Sequence, residues 1–172
     1  SFQPMAQDVN FLNLGPEHDP TPEFNRYRAA VHYSDALIGE LLRTLEQSPL
    51  AANTVVLITG DHGEEFNDMR KNYWGHNGNF SDYQLRTPFV LFWPGKAPQR
   101  HDRISSHEDL VPTLMRHALG CEGDITDYST GYDLFDATPA TRPLLVESWS
   151  QRGIRDGERI YLFDNLGTAR VV

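Results

Sequence analysis

The chain has 172 residues, of which 39% are hydrophobic, 11% aromatic and 23% charged. These are proportions of a globular protein, and they exclude a largely disordered or membrane-embedded chain. The formal net charge of −9 argues against nucleic acid as the main partner. It leaves anionic substrates open, because a bound divalent metal reverses the local sign. The single cysteine, Cys121, permits no internal disulfide and no cysteine-based zinc cluster.

Residues 1–20 are polar, contain prolines and predict an irregular lead-in, in which the apolar patch 9–14 fits an edge strand or a loop. A helix is predicted over residues 23–47, because apolar residues recur there every three or four positions. Thr21 is its predicted cap, and Pro22 occupies the first helical position.

Two uninterrupted apolar runs, residues 54–59 and 88–93, predict two fully buried strands. Strands that are apolar on both faces are typical of parallel sheets. We therefore expect neighbouring parallel strands, with the long helix packed on one face. The roughly 20-residue polar and aromatic segment after the first strand is long for a loop inside a compact domain, and such loops are often functional.

The rest of the chain predicts one helix and several short strands. The helix runs from about Glu108 to Leu119, with Ser105 or Ser106 near its cap and Gly120 just past its end. Strand-like runs follow at residues 143–149, 153–155 and 160–163, with a turn at Asp156-Gly157. Together the elements predict an α/β fold with a small antiparallel sheet at the carboxy-terminal end.

The most informative motif is Gly60-Asp61-His62-Gly63, which directly follows the first apolar strand. In α/β sheets, ligands bind at the carboxyl ends of strands. A carboxylate beside an imidazole offers oxygen and nitrogen ligands that suit zinc, manganese, calcium or magnesium. The two glycines permit the turn that both side chains need to reach one ion. The alternative is a helix-capping aspartate followed by an exposed histidine.

Several segments, in the same order along the chain, resemble those of the alkaline-phosphatase and sulfatase superfamily. Residues 54–64, TVVLITGDHGE, resemble the strand-and-DHG signature of sulfatases, phosphoethanolamine transferases and lipoteichoic-acid synthases. Four further segments are similar to motifs of the family. Residues 33–39 are similar to its D-x-x-I-G helix, and residues 85–95 to its R-V-P-L-I-I-x-x-P-G strand. Residues 107–114 are similar to its D-x-x-P-T-L helix, and residues 129–134 to its S-x-G-x-S-L segment. Residues 74–81, WGHNGNFS, look most like the YejM/PbgA group of inner-membrane sulfatase-like proteins.

The resemblance implies the carboxy-terminal half of a parallel-sheet, sulfatase-like (alkaline-phosphatase-like) fold over residues 21–135. A small antiparallel subdomain would follow over residues 136–172. Carried over by motif, Asp61 and His62 are the expected metal ligands. His76 is the histidine expected to contact the sulfate or phosphate of the substrate, or a second metal.

Other side chains near the motif have competing interpretations. His76 is alternatively a loop histidine that packs against Tyr73 or Trp74. Arg86 is a candidate for anion binding, with a structural hydrogen bond to the loop as the alternative. Glu64 and Glu65 are predicted to be outer-shell or solvated carboxylates rather than ligands.

The chain contains no segment resembling the sulfatase C/S-x-P-x-R motif or the catalytic threonine segment of the transferases. In this superfamily the nucleophile and a further acidic ligand precede the DHG signature. We therefore expect the chain by itself to be inactive and the divalent metal to be bound only in the complete domain.

Two functions are compatible with the sequence. The first is a metal-dependent hydrolase or transferase acting on sulfate or phosphate esters of envelope lipids or glycans. The second is a non-catalytic regulatory or lipid-binding domain that keeps the sulfatase fold. For both, the resemblance implies the periplasmic side of a bacterial inner membrane, and the rest of the same polypeptide, including an amino-terminal membrane part, as partner.

Overall fold

A computed structural model describes residues 14–76, 79–136, 139, 141–148, 151–164 and 167–171. Most of the predicted lead-in, including its apolar patch except for Leu14, therefore lies outside the described residues. The chain divides into two compact units, residues 1–98 and 99–172. The division predicted from the sequence, with boundaries after residues 20 and 135, stays a prediction.

The first unit begins with helix α1, Thr21–Glu46, which confirms the predicted helix to within a residue at its end. Thr21 is the first helical residue rather than the cap. The carboxylate of Asp19 accepts hydrogen bonds from the hydroxyl and the backbone N–H of Thr21, and these two bonds lower the pKa of Asp19. Pro20 occupies the cap position, and the side chain of Asp19 holds the first helical residue.

Helix α1 buries none of its residues. Val31, Leu37 and Leu41 are 48%, 49% and 62% exposed. Its aromatic contacts are near its start, where the rings of Phe24 and Tyr27 lie 5.5 and 5.3 Å from the ring of Phe66. Among the described residues, the helix therefore does not bury a face against the strand pair as expected. No helix in the described part of the chain has the length and apolar character needed to cross a membrane.

Strand β1, Val56–Thr59, pairs with strand β4, Phe89–Phe92, as the two apolar runs predict. The pairing is antiparallel, so the predicted parallel direction is wrong. Parallel neighbours require a crossover connection, usually a helix. The segment between these strands instead forms a hairpin and the four-residue helix α2, Asp82–Leu85. Apolar residues on both faces therefore did not determine the strand direction.

The same two strands were expected to be fully buried, and within this chain they are not. Val90 and Phe92 are 54% and 53% exposed, and Leu57 on the opposite face is 36% exposed. Their apolar surface is thus only partly covered by the residues that the structure describes.

The hairpin consists of β2, Glu65–Phe66, and β3, Trp74–Gly75. Phe66 and Trp74 are almost completely buried, and Leu14 packs against them to form a small core. In the turn between the strands, the buried Asn67 donates a hydrogen bond to the carbonyl of Pro16. This core fixes the segment that carries the predicted loop histidine.

The second unit begins with a capped helix. A 3-10 turn, His107–Asp109, leads into α3, Leu110–His117, and Ser106 forms a capping box with Asp109. Gly120 follows the helix with a φ of +68°. The predicted helix, its cap at Ser106 and its terminating glycine are therefore confirmed.

The rest of this unit is a four-stranded antiparallel sheet in the order β5-β6-β7-β8, which confirms the predicted small antiparallel sheet. The β6–β7 hairpin turns at Gly157, whose φ is +60°, as predicted. The strand bounds are Leu144–Glu147, Arg152–Asp156, Arg159–Phe163 and Ala169–Val171.

A buried ion pair crosses the second unit. The carboxylate of Asp109 accepts two hydrogen bonds from the guanidinium of Arg142, at 2.7 and 2.8 Å. It also accepts the backbone N–H groups of Ser106 and Tyr132. Both charged side chains are almost completely buried, so this cluster joins three separate segments around one carboxylate.

Candidate metal centre

The Gly60-Asp61-His62-Gly63 segment leaves the end of β1 and turns against α2. The N–H of Gly63 donates a 2.8 Å hydrogen bond to the carbonyl of Gln84. A Cβ atom at Gly63 would overlap the carbonyl oxygen of Tyr83, so only glycine allows this close approach. The motif is therefore held by backbone contacts to the segment that follows the hairpin.

His62 is fixed by its own neighbour. Its Nδ1 lies 2.9 Å from the carbonyl oxygen of Gly63. Because a carbonyl only accepts, Nδ1 carries the hydrogen in this bond and Nε2 is the ring nitrogen able to act as a ligand. The local backbone thus sets the tautomer of His62.

Asp61 is much more exposed than its neighbour. Its carboxylate accepts the N–H of His62 at 3.2 Å, and Oδ2 lies 3.6 Å from Nε2 of His62. The side chain is 91% exposed. Asp61 therefore lies beside the candidate ligand nitrogen without being enclosed by the rest of the chain.

His76 follows β3 and reaches His62 through the hairpin. The two imidazole rings stack with centroids 3.8 Å apart and an angle of 27° between their planes. Nδ1 of His76 also lies 3.2 Å from Oε2 of Glu64. The side chains of His76 and Glu64 are 22% and 16% exposed, so these groups lie at an accessible surface.

His62, Glu64 and His76 together form a group with the chemistry of a metal site. Each offers one ligand atom, and the three atoms lie within 4.8 Å of one another. Two imidazole nitrogens and one carboxylate oxygen form the donor set of many catalytic zinc sites, which keep a fourth position open. The residues present therefore fit a divalent metal.

The structure brings together some of the predicted site residues and separates others. His62 and His76 meet, and Asp61 lies next to them. Arg86 makes a different contact: its Nε lies 3.0 Å from Oδ2 of Asp82, and its side chain is 78% exposed. The roles predicted for Asp61, His62, His76 and Arg86 all stay predictions.

Glu64 was predicted to be an outer-shell or solvated carboxylate, and that role stays a prediction; its approach to His76 was not foreseen. No clear signal in the sequence indicates it, because residues 61–64 form a bend rather than an extended strand. No local sequence signal predicts that His76 lies close to His62, because this contact depends on the pairing of β2 with β3.

The family model described as Sulfatase matches residues 1–121, more than half of the chain. The chain belongs to the sulfatase family. The family resemblance stated from the motifs is therefore confirmed, and so is the sulfatase-like fold.

Two curated relatives and one solved structure illustrate the range of similarity. The chain is 32% identical over 110 residues to the inner membrane protein YejM of Salmonella typhimurium, covering 64% of this chain and 18% of YejM. It is 27% identical over 146 residues to a choline-sulfatase of Rhizobium meliloti, covering 80% of this chain and 28% of the relative. A structure of a proposed sulfatase from Bacteroides thetaiotaomicron matches the fold with a TM-score of 0.63 at 16% identity, covering 98% of this chain and 38% of the other. The chain thus spans well under half of each of these relatives.

Proposed function

We propose that this chain supplies part of a metal-dependent active site for the hydrolysis or transfer of sulfate or phosphate esters. The observation that carries the proposal is the convergence of His62, Glu64 and His76 at the DHG signature of a sulfatase-family chain. In this proposal the metal is zinc, manganese, calcium or magnesium. Two nitrogen donors favour zinc over the harder, oxygen-preferring manganese, calcium and magnesium.

Each side chain has a proposed role. His62 ligates through Nε2, because Nδ1 is engaged with the Gly63 carbonyl. Asp61 would add a carboxylate beside Nε2 of His62. A bound divalent metal would supply Lewis-acid polarisation of the ester oxygens. Glu64 orients the ring of His76 through the contact of its Oε2 with Nδ1, as outer-shell carboxylates do for metal-bound histidines, and it would also contribute the third ligand atom.

The anionic group of the substrate would bind beside His76, whose Nδ1 is engaged with Glu64 and whose Nε2 would hold the metal. Arg86 is proposed to assist anion binding only after its ion pair with Asp82 breaks. This pair is exposed, and such surface pairs contribute little stability, so breaking it costs little. The nucleophile is proposed to come from a preceding part of a longer polypeptide, as the 18% and 28% coverage of the relatives suggests. On that proposal the 172-residue chain alone has no esterase activity.

Metal binding by the chain itself is open to direct measurement. The sequence suggested two ligands and metal binding only in the complete domain. The third ligand atom within the chain changes this expectation, since three protein ligands suffice for catalytic zinc. We expect calorimetric titration with Zn²⁺ or Mn²⁺ to show one site, and His76→Ala to weaken it at least about tenfold.

His32→Ala is the matched control, because this histidine lies exposed on α1 in the same unit. It should leave the titration unchanged. Equal binding by wild type, His76→Ala and His62→Ala would place the metal elsewhere and refute the assignment.

The second candidate function is a non-catalytic lipid-binding or regulatory domain. The similarity to the inner membrane protein YejM, over 64% of this chain, favours it. Under either function we propose a location on the periplasmic side of an inner membrane, with an envelope lipid or glycan ester as ligand. Full-length protein assayed with aryl sulfate, phosphomonoester and phosphodiester separates the two. Turnover that requires His62 supports the enzyme, and lipid binding without turnover supports the alternative.

A further inference from the structure

Glu65, next to the candidate ligand Glu64, is completely buried. Its Oε2 accepts three side-chain hydrogen bonds: from Asn79 Nδ2 at 3.0 Å, Ser81 Oγ at 2.9 Å and Gln84 Nε2 at 2.8 Å. All three donors belong to the segment that follows His76. One carboxylate oxygen therefore binds three residues between Asn79 and α2.

The backbone of the same residue holds the other side of His76. Glu65 pairs with Gly75 in the β2–β3 ladder. His76 directly follows Gly75, the backbone partner of Glu65. It lies three residues before Asn79, the first residue whose side chain bonds to Glu65. Glu65 constrains the chain on both sides of the histidine.

We propose that Glu65 is the positioning residue that holds His76 against His62 and Glu64. This inference rests on the proposed metal function, because it concerns the same cluster. Glu65 touches neither the metal nor the substrate. It acts through the Asn79, Ser81 and Gln84 hydrogen bonds, which fix the path of the chain and hence the 3.8 Å stacking of the two imidazole rings.

The two carboxylate oxygens of Glu65 have different surroundings, so two substitutions can separate loss of the acceptor from loss of the charge. Oε1 is buried and accepts no hydrogen bond within the part of the chain that the structure describes. Glu65→Gln keeps an acceptor oxygen at the Oε2 position and places its amide nitrogen where Oε1 lies. Glu65→Ala removes the acceptor and leaves three donors unsatisfied.

The experiment measures ring contact and metal affinity in the 172-residue chain. Nuclear Overhauser contacts between the imidazole protons of His62 and His76 report the positioning without any metal. Titration with Co²⁺, followed by its visible absorption, reports the affinity of the cluster. For Glu65→Ala we expect loss of the ring contacts and an affinity lower by about 10- to 100-fold, the range typical of supporting residues at metal sites. Glu65→Gln should retain the contacts and bind Co²⁺ within about threefold of wild type.

Ser81→Ala covers the case in which Glu65→Ala fails to fold. It deletes one of the three donors and leaves the carboxylate in place, so we expect weakened ring contacts in a folded chain. Ring contacts and Co²⁺ affinity equal to wild type in Ser81→Ala, or in a folded Glu65→Ala, would overturn the proposal. If wild type binds no Co²⁺, the metal function fails, but the ring contacts still decide the role of Glu65.

Discussion

Two aspartates of this chain illustrate opposite uses of a carboxylate. Asp61 in the first unit is 91% exposed and accepts one backbone hydrogen bond. Asp109 in the second unit is 1% exposed and is paired with Arg142 and two backbone N–H groups. A buried carboxylate that is satisfied in this way organises the fold, whereas an exposed one beside a histidine remains available to a ligand. The contrast predicts that changes at Asp109 and its partners affect stability and that changes at Asp61 affect function.

The largest effect should come from breaking the buried pair. Arg142→Ala leaves the Asp109 carboxylate buried without its counter-charge, and we expect it to lower the free energy of unfolding by about 3–5 kcal/mol. Arg152→Ala is the matched control in the same unit, since Arg152 forms an exposed pair with Glu147 and should change stability by less than about 1 kcal/mol. Urea denaturation of both variants measures the difference. Equal stability losses would remove the distinction between the two kinds of carboxylate.

An intermediate effect is expected where the backbone around Asp109 is most tightly packed. A Cβ atom at Gly131 would overlap the carbonyl oxygen of Glu108, beside the bond from Tyr132 N–H to Asp109. Gly131→Ala should therefore cost about 1–3 kcal/mol through a forced backbone shift. Gly123→Ala, where a Cβ meets nothing within 4 Å, should cost less than about 1 kcal/mol. Thermal unfolding of the pair checks the expectation, and a neutral Gly131→Ala would contradict the close packing.

The smallest stability effect is expected at Asp61. Asp61→Asn removes an exposed charge and little packing, so the free energy of unfolding should change by less than about 1 kcal/mol. In the full-length protein, the same change should lower metal occupancy and esterase turnover by orders of magnitude. Chemical denaturation and turnover of the three ester classes measure the two effects. A variant that matches wild type in metal content and turnover would mark Asp61 as a remnant of the family motif.

The difference between the two units also explains which features could be predicted. The capped helix α3 and the Gly157 hairpin depend on local signals, and the sequence contains them in full. The direction of β4 relative to β1 depends on the connection between them, which no hydrophobic pattern reports.

The candidate site divides in the same way. Asp61 and His62 are identified by a contiguous motif, whereas His76 reaches His62 only through the β2–β3 pairing. Glu65 gives no sequence signal at all, because its three side-chain partners lie 14 to 19 residues away. The contacts made across the hairpin are therefore the features of the site that could not be predicted from the motif.

The exposure of helix α1 affects how readily its backbone hydrogen bonds open. A helix that buries none of its residues is stabilised within this chain mainly by its own backbone hydrogen bonds, which give only marginal stability without tertiary packing. Its first turns are held by Phe24 and Tyr27 against Phe66, so opening should proceed from the Glu46 end. In amide hydrogen exchange, the last turns of α1 should therefore lose protection well before β6, which is bonded to a strand on each side.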